Sequence, residues 1–385
     1  MYHHALNVEE IRRLARRRLP RGMFEYIDRG AEDEVALSAT RAALDGVKLH
    51  PRVLTDVSRR TLGVELFGQR QPLPLIVAPT GLAGLMWHEG EVELAKAAAA
   101  AGVPFGVSTQ SITPIETIAK KAGGRLWFQL YVLNDRTITE HFIDRARDAG
   151  AEALILTVDT VVAPKREYNI HNGFGIPMRA TWRGGLDLAA HPGWLWRVLG
   201  RYLRDGGIPT YAHYPSEFRH KITRAALSDR LGLAADMTWA DLDALRQRWH
   251  GKLIVKGVLR ADDAIRAAEC GADAIVVSNH GGRNLDGAVS PVEVLPEIVQ
   301  AVGHRLTVLA DGGVRRGSDV VKLMALGAQA VLVGRSVLFG TAVAGQAGAT
   351  HVLNLLRDEI SRTLALLGCP SLDRIGEGYV RPRGP

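Results

Sequence analysis

From residue 73 onward, short apolar runs alternate with longer helical patterns, and no other feature of the chain constrains its fold as tightly. The runs cover 73–80, 104–109, 126–131, 153–159, 253–258, 274–280, 307–313 and 330–335. Helical periodicity marks 89–101, 137–149, 261–270, 292–302 and 318–326. Several of these segments end in a Gly-Ala pair (Gly150-Ala151, Gly271-Ala272, Gly327-Ala328), as where a helix hands over to a strand. Strands covered on both faces read as unbroken apolar runs, and strands joined through helices are parallel. Eight strand–helix units predict an α/β chain closed into a (β/α)₈ TIM barrel. An open, doubly wound sheet is the alternative, but no G-x-G-x-x-G follows an early strand.

A barrel gathers the C-terminal ends of its strands on one face, where active sites form. Here those ends read Pro79-Thr80-Gly81, Ser108-Thr109, Gln129-Leu130-Tyr131, Thr157-Val158-Asp159, Lys256-Gly257, Ser278-Asn279-His280, Asp311-Gly312-Gly313 and Gly334-Arg335. One polar strand end is routine; such a succession is hard to explain by packing. The interval from 159 to 253 is far longer than any other and predicts an insertion at the active-site face, over 177–215. Trp182, Trp194, Trp196 and Tyr202 are interleaved there with Arg179, Arg183, Arg197, Arg201 and Arg204. That composition suits a mobile, interfacial membrane anchor; a flap packed against a neighbouring subunit is the competing reading. Residues 1–70 are expected to cap the barrel, the whole chain forming a single domain.

Composition sets the outer limits. Apolar residues make up 46% of the chain and charged residues 23%, as in a soluble globular protein rather than a disordered one. The net charge of +7 favours anionic partners. Arg12, Arg13, Arg16, Arg17 and Arg18 form a basic helical face, read as solvated surface rather than a nucleic-acid site. Cys270 and Cys369 make neither a disulfide framework nor a metal cluster and suit a reducing cytoplasm. The N-terminus carries no apolar signal segment, and no run of about 18 apolar residues could span a bilayer.

The sixth run opens into Ser278-Asn279-His280-Gly281-Gly282-Arg283, which sets an imidazole three residues from a guanidinium. The first is a base near neutral pH; the second grips a carboxylate through two parallel hydrogen bonds. Asp159 could orient His280, or merely cap a helix. Gly312-Gly313 with Arg315-Arg316, then Gly334-Arg335, reads as a phosphate cradle after the last two strands. Lys256, on an apolar strand, needs an anion: a core carboxylate or a flavin that becomes anionic on reduction.

These residues resemble the FMN-dependent L-2-hydroxy-acid oxidases and dehydrogenases. The likeness spans essentially the whole chain, including Leu19-Pro20, Tyr26, Gly30-Ala31-Glu32-Asp33, Ala78-Pro79-Thr80-Gly81, Phe128 to Tyr131, Leu156 to Asp159, Val255-Lys256-Gly257, Ser278 to Arg283 and Asp311 to Gly317. It implies His280 as base with Asp159 as its partner. Arg283, Arg166 and Tyr26 would hold the substrate carboxylate, and Tyr131 the hydroxyl or developing carbonyl oxygen. It implies that Pro79, Thr80, Gly81, Ser108, Gln129, Thr157, Ser278, Asp311, Gly312, Gly313, Val314, Arg315, Gly334 and Arg335 line FMN, with Lys256 beside the flavin N1/C2 carbonyl.

Within the family, Leu85-Met86-Trp87 and His191-Pro192-Gly193-Trp194 resemble the membrane-associated mandelate dehydrogenases. Gly81 stands where the oxidases usually carry alanine, and Gln110 where glycolate oxidase carries tryptophan; both changes are expected to open the pocket to a bulky or aromatic substrate. Asn284 replaces the usual glutamine. The resemblance implies a homotetramer, and a quinone acceptor is expected, with the protein cytoplasmic and peripheral on the inner face of the cell membrane. The other readings are an O₂-using oxidase, a flavoenzyme like pre-mycofactocin synthase, and a phosphate-binding barrel acting as a sensor. The retained Arg283 argues against the second of these.

Overall fold

The computed structural model describes residues 2–174, 181–224 and 228–381. Three helices open the chain: α1 (Val8–Arg18), α2 (Arg21–Asp28) and α3 (Val35–Gly46). An antiparallel hairpin, β1 (Val64–Leu66) and β2 (Gln69–Gln71), leads to the barrel. Eight parallel strands then close on themselves in chain order: β3 (Leu75–Val77), β4 (Phe105–Ser108), β5 (Leu126–Leu130), β6 (Ala153–Thr157), β7 (Lys252–Val258), β8 (Ala274–Val277), β9 (Thr307–Ala310) and β10 (Ala330–Val333), with β10 pairing to β3. Each predicted run contains a strand, and all but β7 are shorter than the run because the polar end leaves the ladder to form the active-site face.

Side chains alternate across the barrel wall as the pleat requires. Ile76, Ile155, Ile254, Val276, Leu309 and Leu332 fill the interior with the smaller Ala153, Ala274 and Ala330. Their neighbours Leu75, Val77, Leu154, Leu156, Leu253 and Val255 pack outward against the helices. Phe67, at the tip of the β1–β2 hairpin, lies 5.6 Å from Trp127 and closes the interior at the end opposite the site.

The outer ring comprises α4 (Ala83–Met86), α5 (Gly90–Ala100), α6 (Ile115–Ala122), α7 (Arg136–Asp148), α8 (Glu167–His171), the insertion helices α9 (Trp182–Ala189), α10 (Pro192–Trp194) and α11 (Gly200–Asp205), then α12 (Trp239–Arg248), α13 (Ala261–Glu269), α14 (Pro291–Val302), α15 (Gly317–Ala325) and α16 (Arg335–Leu366). The last is broken at Ala344-Gly345, where Gly345 takes φ +57°. The arginine face of α1 is not uniformly solvated. Arg12 forms a two-pronged pair with Asp28 at 2.6 and 2.7 Å, and Arg18 lies over the Trp87 ring.

Pro177 and Arg179 of the expected flap lie outside the described residues. The remainder is helical and docked rather than detached. Trp194 is buried and donates from Nε1 to the Leu85 carbonyl at 2.8 Å. The Tyr202 hydroxyl donates to the Gly84 carbonyl and accepts from the Glu89 amide. Trp182 and Trp196 instead point outward, 72% and 81% exposed, so the four aromatics divide between two faces.

His213 fastens the far end of this interval to the barrel. Its ring is fully buried; Nε2 accepts the Ile115 amide at 3.1 Å, and Nδ1 lies 3.2 Å from the Thr109 carbonyl, to which it donates. Burial holds this imidazole neutral, with its pKa pushed down to about 4. The folded state therefore binds fewer protons than the unfolded chain between that value and the ordinary histidine pKa of about 6.5. Its stabilisation is complete above the upper value and is lost as pH falls toward the lower one, at a cost of roughly 3 kcal/mol. Urea unfolding from pH 7 to pH 4 should show this loss, and a His213→Gln variant should show a shallower slope.

Candidate functional site

A cavity with about 1060 Å³ of empty space, open to solvent, lies at the C-terminal ends of the strands. Tyr26 from α2 and Arg283 from the β8 loop form part of its wall, so α2 lies beside the barrel mouth. The backbone explains the approach. His280, Gly281 and Gly282 take φ values of +56°, +62° and +71°, a left-handed run that only glycine adopts without strain. A Cβ on Gly282 would lie 2.5 Å from the Leu37 amide nitrogen of α3. The glycines thus serve close contact and turn geometry.

His280 Nδ1 sits 2.9 Å from Asp159 Oδ1. Burial works against the Asp159 charge, but His280 and Lys256 outweigh it and hold that carboxyl at about 2. Burial pushes the His280 pKa below its ordinary value, Asp159 opposing and Lys256 assisting. At neutral pH the pair is therefore a carboxylate and a neutral imidazole. The carboxylate accepts from Nδ1–H, which assigns the lone pair to Nε2. Room for Asp159 depends on Gly257, the extra residue of a bulge between β7 and β8, since a Cβ there would lie 2.6 Å from the Asp159 Cγ.

Lys256 is buried and has the core carboxylate that one of its sequence-based readings required. Its Nζ donates to Ser278 Oγ at 2.9 Å and pairs with Asp311 at 3.2 Å, while the residue also lines the cavity. Asp311 and Asp159 keep it charged against the opposing effect of burial. Across the tips of β4, β5 and β6, Ser108 donates to Gln129, whose Nε2 donates to Thr157. Tyr131 has its pKa raised by burial and by Asp159, so it remains a neutral hydroxyl.

Two pairs of arginines give the site its electrostatic character. Arg166 donates to the Arg283 carbonyl, and Arg283 donates to the carbonyls of Tyr26 and Arg29 at 2.8 Å. Burial and the neighbouring Arg283 charge lower Arg166 to about 10. At the far end, burial lowers Arg315 to about 10 and Arg335 to about 9. Arg315 donates to Ser336 Oγ and Arg335 to the Gly281 carbonyl, and no carboxylate pairs with either among the described residues. Gly312 and Gly313 beside them take φ values of +100° and +72°.

Two desolvated guanidiniums with no anion, next to a glycine turn, fit a phosphate. Arg335 Nε, Asp311 Oδ1 and Thr80 Oγ1 are also buried without a partner, as expected of groups awaiting a polar cofactor. The residues present fit FMN: Arg315, Arg335 and the Gly312–Val314 turn for its phosphate, and Pro79–Gly81, Ser108, Gln129, Thr157 and Lys256 for the rest.

Most of the residues singled out by sequence line this cavity, with Gly334 and Val314 among them. Four need correction. Ser278 lies behind the wall, where its Oγ accepts from Lys256 and the His280 amide. Arg316 turns away to pair with Glu359. Gly81 and Gln110 do not both enlarge the pocket, because a Cβ on Gly81 would lie 3.3 Å from Gln110 Cβ and Oε1. The glutamine leans into the space that the glycine leaves. Sequence reasoning passed over Ile27, Leu332 and Leu338, which also line the site but read as ordinary core residues. It also passed over Thr160, whose only signal was adjacency to Asp159.

The model of the FMN-dependent dehydrogenase family matches residues 15–382. The chain is 42% identical to (S)-mandelate dehydrogenase of Pseudomonas putida, over 100% of this chain and 96% of that one. It is 44% identical to L-lactate dehydrogenase of Caulobacter sp. (strain K31), over 95% and 96% of the two. A crystal structure of the monotopic membrane protein (S)-mandelate dehydrogenase superposes with a TM-score of 0.92 at 42% identity, covering 98% of this chain and 99% of that one. With the closed barrel and its phosphate-ready face, these likenesses make the chain a member of the FMN-dependent dehydrogenase family, an FMN flavoenzyme of the α-hydroxy-acid dehydrogenase and oxidase class.

Proposed function

We propose that the protein oxidises an L-2-hydroxy acid to the 2-oxo acid, with mandelate-like acids ahead of L-lactate, and passes the electrons to a membrane quinone. The observation that carries this reading is His280, paired with Asp159 at 2.9 Å, lining one cavity with two guanidiniums that lack a carboxylate. Arg166 and Arg283, with Tyr26, bind the substrate carboxylate and fix the substrate's orientation. His280 Nε2 takes the hydroxyl proton, and Asp159 stabilises the imidazolium that results. Tyr131, kept neutral, donates to the substrate oxygen as it becomes a carbonyl. Bound FMN would supply the acceptor for the two electrons released as the substrate's Cα–H bond breaks. Lys256 holds positive charge at the tip of β7, where it favours added negative charge on the cofactor.

Stopped-flow reduction with mandelate, lactate and glycolate, followed by reoxidation with O₂ or a quinone analogue, tests substrate and acceptor together. Preference for glycolate refutes the substrate order, and fast reoxidation by air makes the protein an oxidase. His280→Ala should slow flavin reduction by about 10²–10⁴-fold with FMN still bound; undiminished reduction removes His280 from the reaction. Arg335→Gln should weaken FMN binding by about ten- to a hundredfold, read by flavin release on dilution.

Attachment to the inner face of the membrane, as a homotetramer, belongs to the same reading. Trp182, Leu186, Trp196 and Leu203 are exposed on α9 to α11 and the turn between them, and Arg197 and Arg201 are exposed beside them. Aromatic rings among arginines suit a headgroup boundary, and among the described residues no helix is long and apolar enough to cross a membrane. Because Trp194 anchors the segment to α4, point changes test it better than removal. A Trp182→Ser/Trp196→Ser variant should keep FMN while losing sedimentation with anionic vesicles. Unchanged sedimentation, or loss of the oligomer instead, would favour a subunit contact.

A further inference from the structure

Asn284 has no part in the chemistry above, yet its side chain reaches both residues at the start of the β6 loop. Nδ2 donates to the Asp159 carbonyl at 2.9 Å and to Thr160 Oγ1 at 2.7 Å. An amide nitrogen only donates, so it occupies a lone pair of the threonine oxygen. The single Thr160 proton is then directed to Asp159 Oδ1, 3.0 Å away. The same Oδ1 accepts His280 Nδ1–H. Asn284 is itself held from both sides. Arg283 is fastened to the carbonyls of Tyr26 and Arg29, and Asp286 accepts the amides of Asp33, Val35 and Ala36.

We infer that Asn284 is a positioning residue which, through Thr160, fixes the hydrogen bonds on Asp159 and thereby sets the basicity of His280. The inference rests on His280 being the base of the proposed reaction. A hydroxyl donor on the carboxylate stabilises its charge and weakens its hold on an imidazolium; without that donor the imidazole becomes more basic. The other charged or titratable groups around His280 are Lys256 on β7, Asp311 after β9, Tyr131 after β5, and Arg166 and Arg283 on the cavity wall. A change at residue 284 removes none of them.

The test is a ¹⁵N NMR titration of the His280 imidazole in FMN-loaded enzyme without substrate, set beside the pH profile of kcat/KM. Asn284→Ala should raise the imidazole pKa by about half to one unit, and the isosteric change Thr160→Val should do the same. The double variant should shift no further than either single one, because both act through one chain of hydrogen bonds. Asn284→Asp, which places a charged acceptor where the donor was, should raise it further. In each case the acid limb of kcat/KM should move to higher pH by the same amount, with FMN content unchanged.

An imidazole pKa that stays put in both single variants overturns the inference, as do shifts that add in the double. If Asn284→Ala fails to retain FMN, Thr160→Val decides alone. If the imidazole shifts while the acid limb does not, the positioning role stands and the assignment of His280 as the base falls.

Discussion

The left-handed turn at His280-Gly281-Gly282 is the constraint on which the rest of the site depends. A histidine at φ +56° costs on the order of 1–3 kcal/mol, and such a conformation persists only where its surroundings enforce it. Here they do so residue by residue. His280 is tied to Asp159, the Gly281 carbonyl to Arg335, the Gly282 carbonyl to the Ala31 amide, and the Arg283 carbonyl to Arg166. One short segment therefore aims the imidazole, seats the N-terminal helices and joins the two arginine pairs. A side chain at Gly282 would strike α3, so the local strain and the position of Tyr26 in the cavity wall have a common origin.

Charge inside the cavity follows a division of labour. Lys256 and His280 each have a carboxylate, Asp311 and Asp159, and so carry a defined protonation state without any ligand. Arg166, Arg283, Arg315 and Arg335 donate only to carbonyl or hydroxyl oxygens among the described residues, with Arg283 over the Tyr26 ring and Arg315 over the Phe339 ring. Leaving a buried cation without an anion is expensive, and depressed arginine pKa values record that expense. Such positive charge lowers stability unless an anion arrives. The two pairs face different parts of the cavity, one suited to a carboxylate and the other to a phosphate.

The barrel was legible because its strands are covered on both faces and so appear as unbroken apolar runs, each ending in a polar group. Those endings also carried most of the site, since a hydrogen-bonding residue at the end of a buried strand has few structural reasons to be there. The clues failed where a residue acts through space. Ser278 looked like a cavity residue but faces Lys256 from behind, and Gly81 looked like extra room until Gln110 was seen to fill it. Asn284 offered no chemistry in the sequence because its partners, Asp159 and Thr160, lie more than a hundred residues away. Periodicity reports which face a residue takes, but not the hydrogen bonds made between loops.

The insertion shows the same limit and gains a meaning from it. Tryptophan and arginine interleaved in sequence suggested one amphipathic surface, whereas the fold turns Trp194 and Tyr202 toward α4 and leaves Trp182 and Trp196 outside. The carbonyls they hold, Leu85 and Gly84, belong to the helix that continues directly from Thr80-Gly81-Leu82. The exposed tryptophan face and the cavity wall are thus two sides of one packed unit. A displacement of the outer helices would be transmitted to Gly81 through those hydrogen bonds, because a close-packed interior moves its neighbours rather than absorbing the change. Whatever covers the outer face therefore bears on the shape of the cavity next to Gln110 and Tyr26, which also border Gly81.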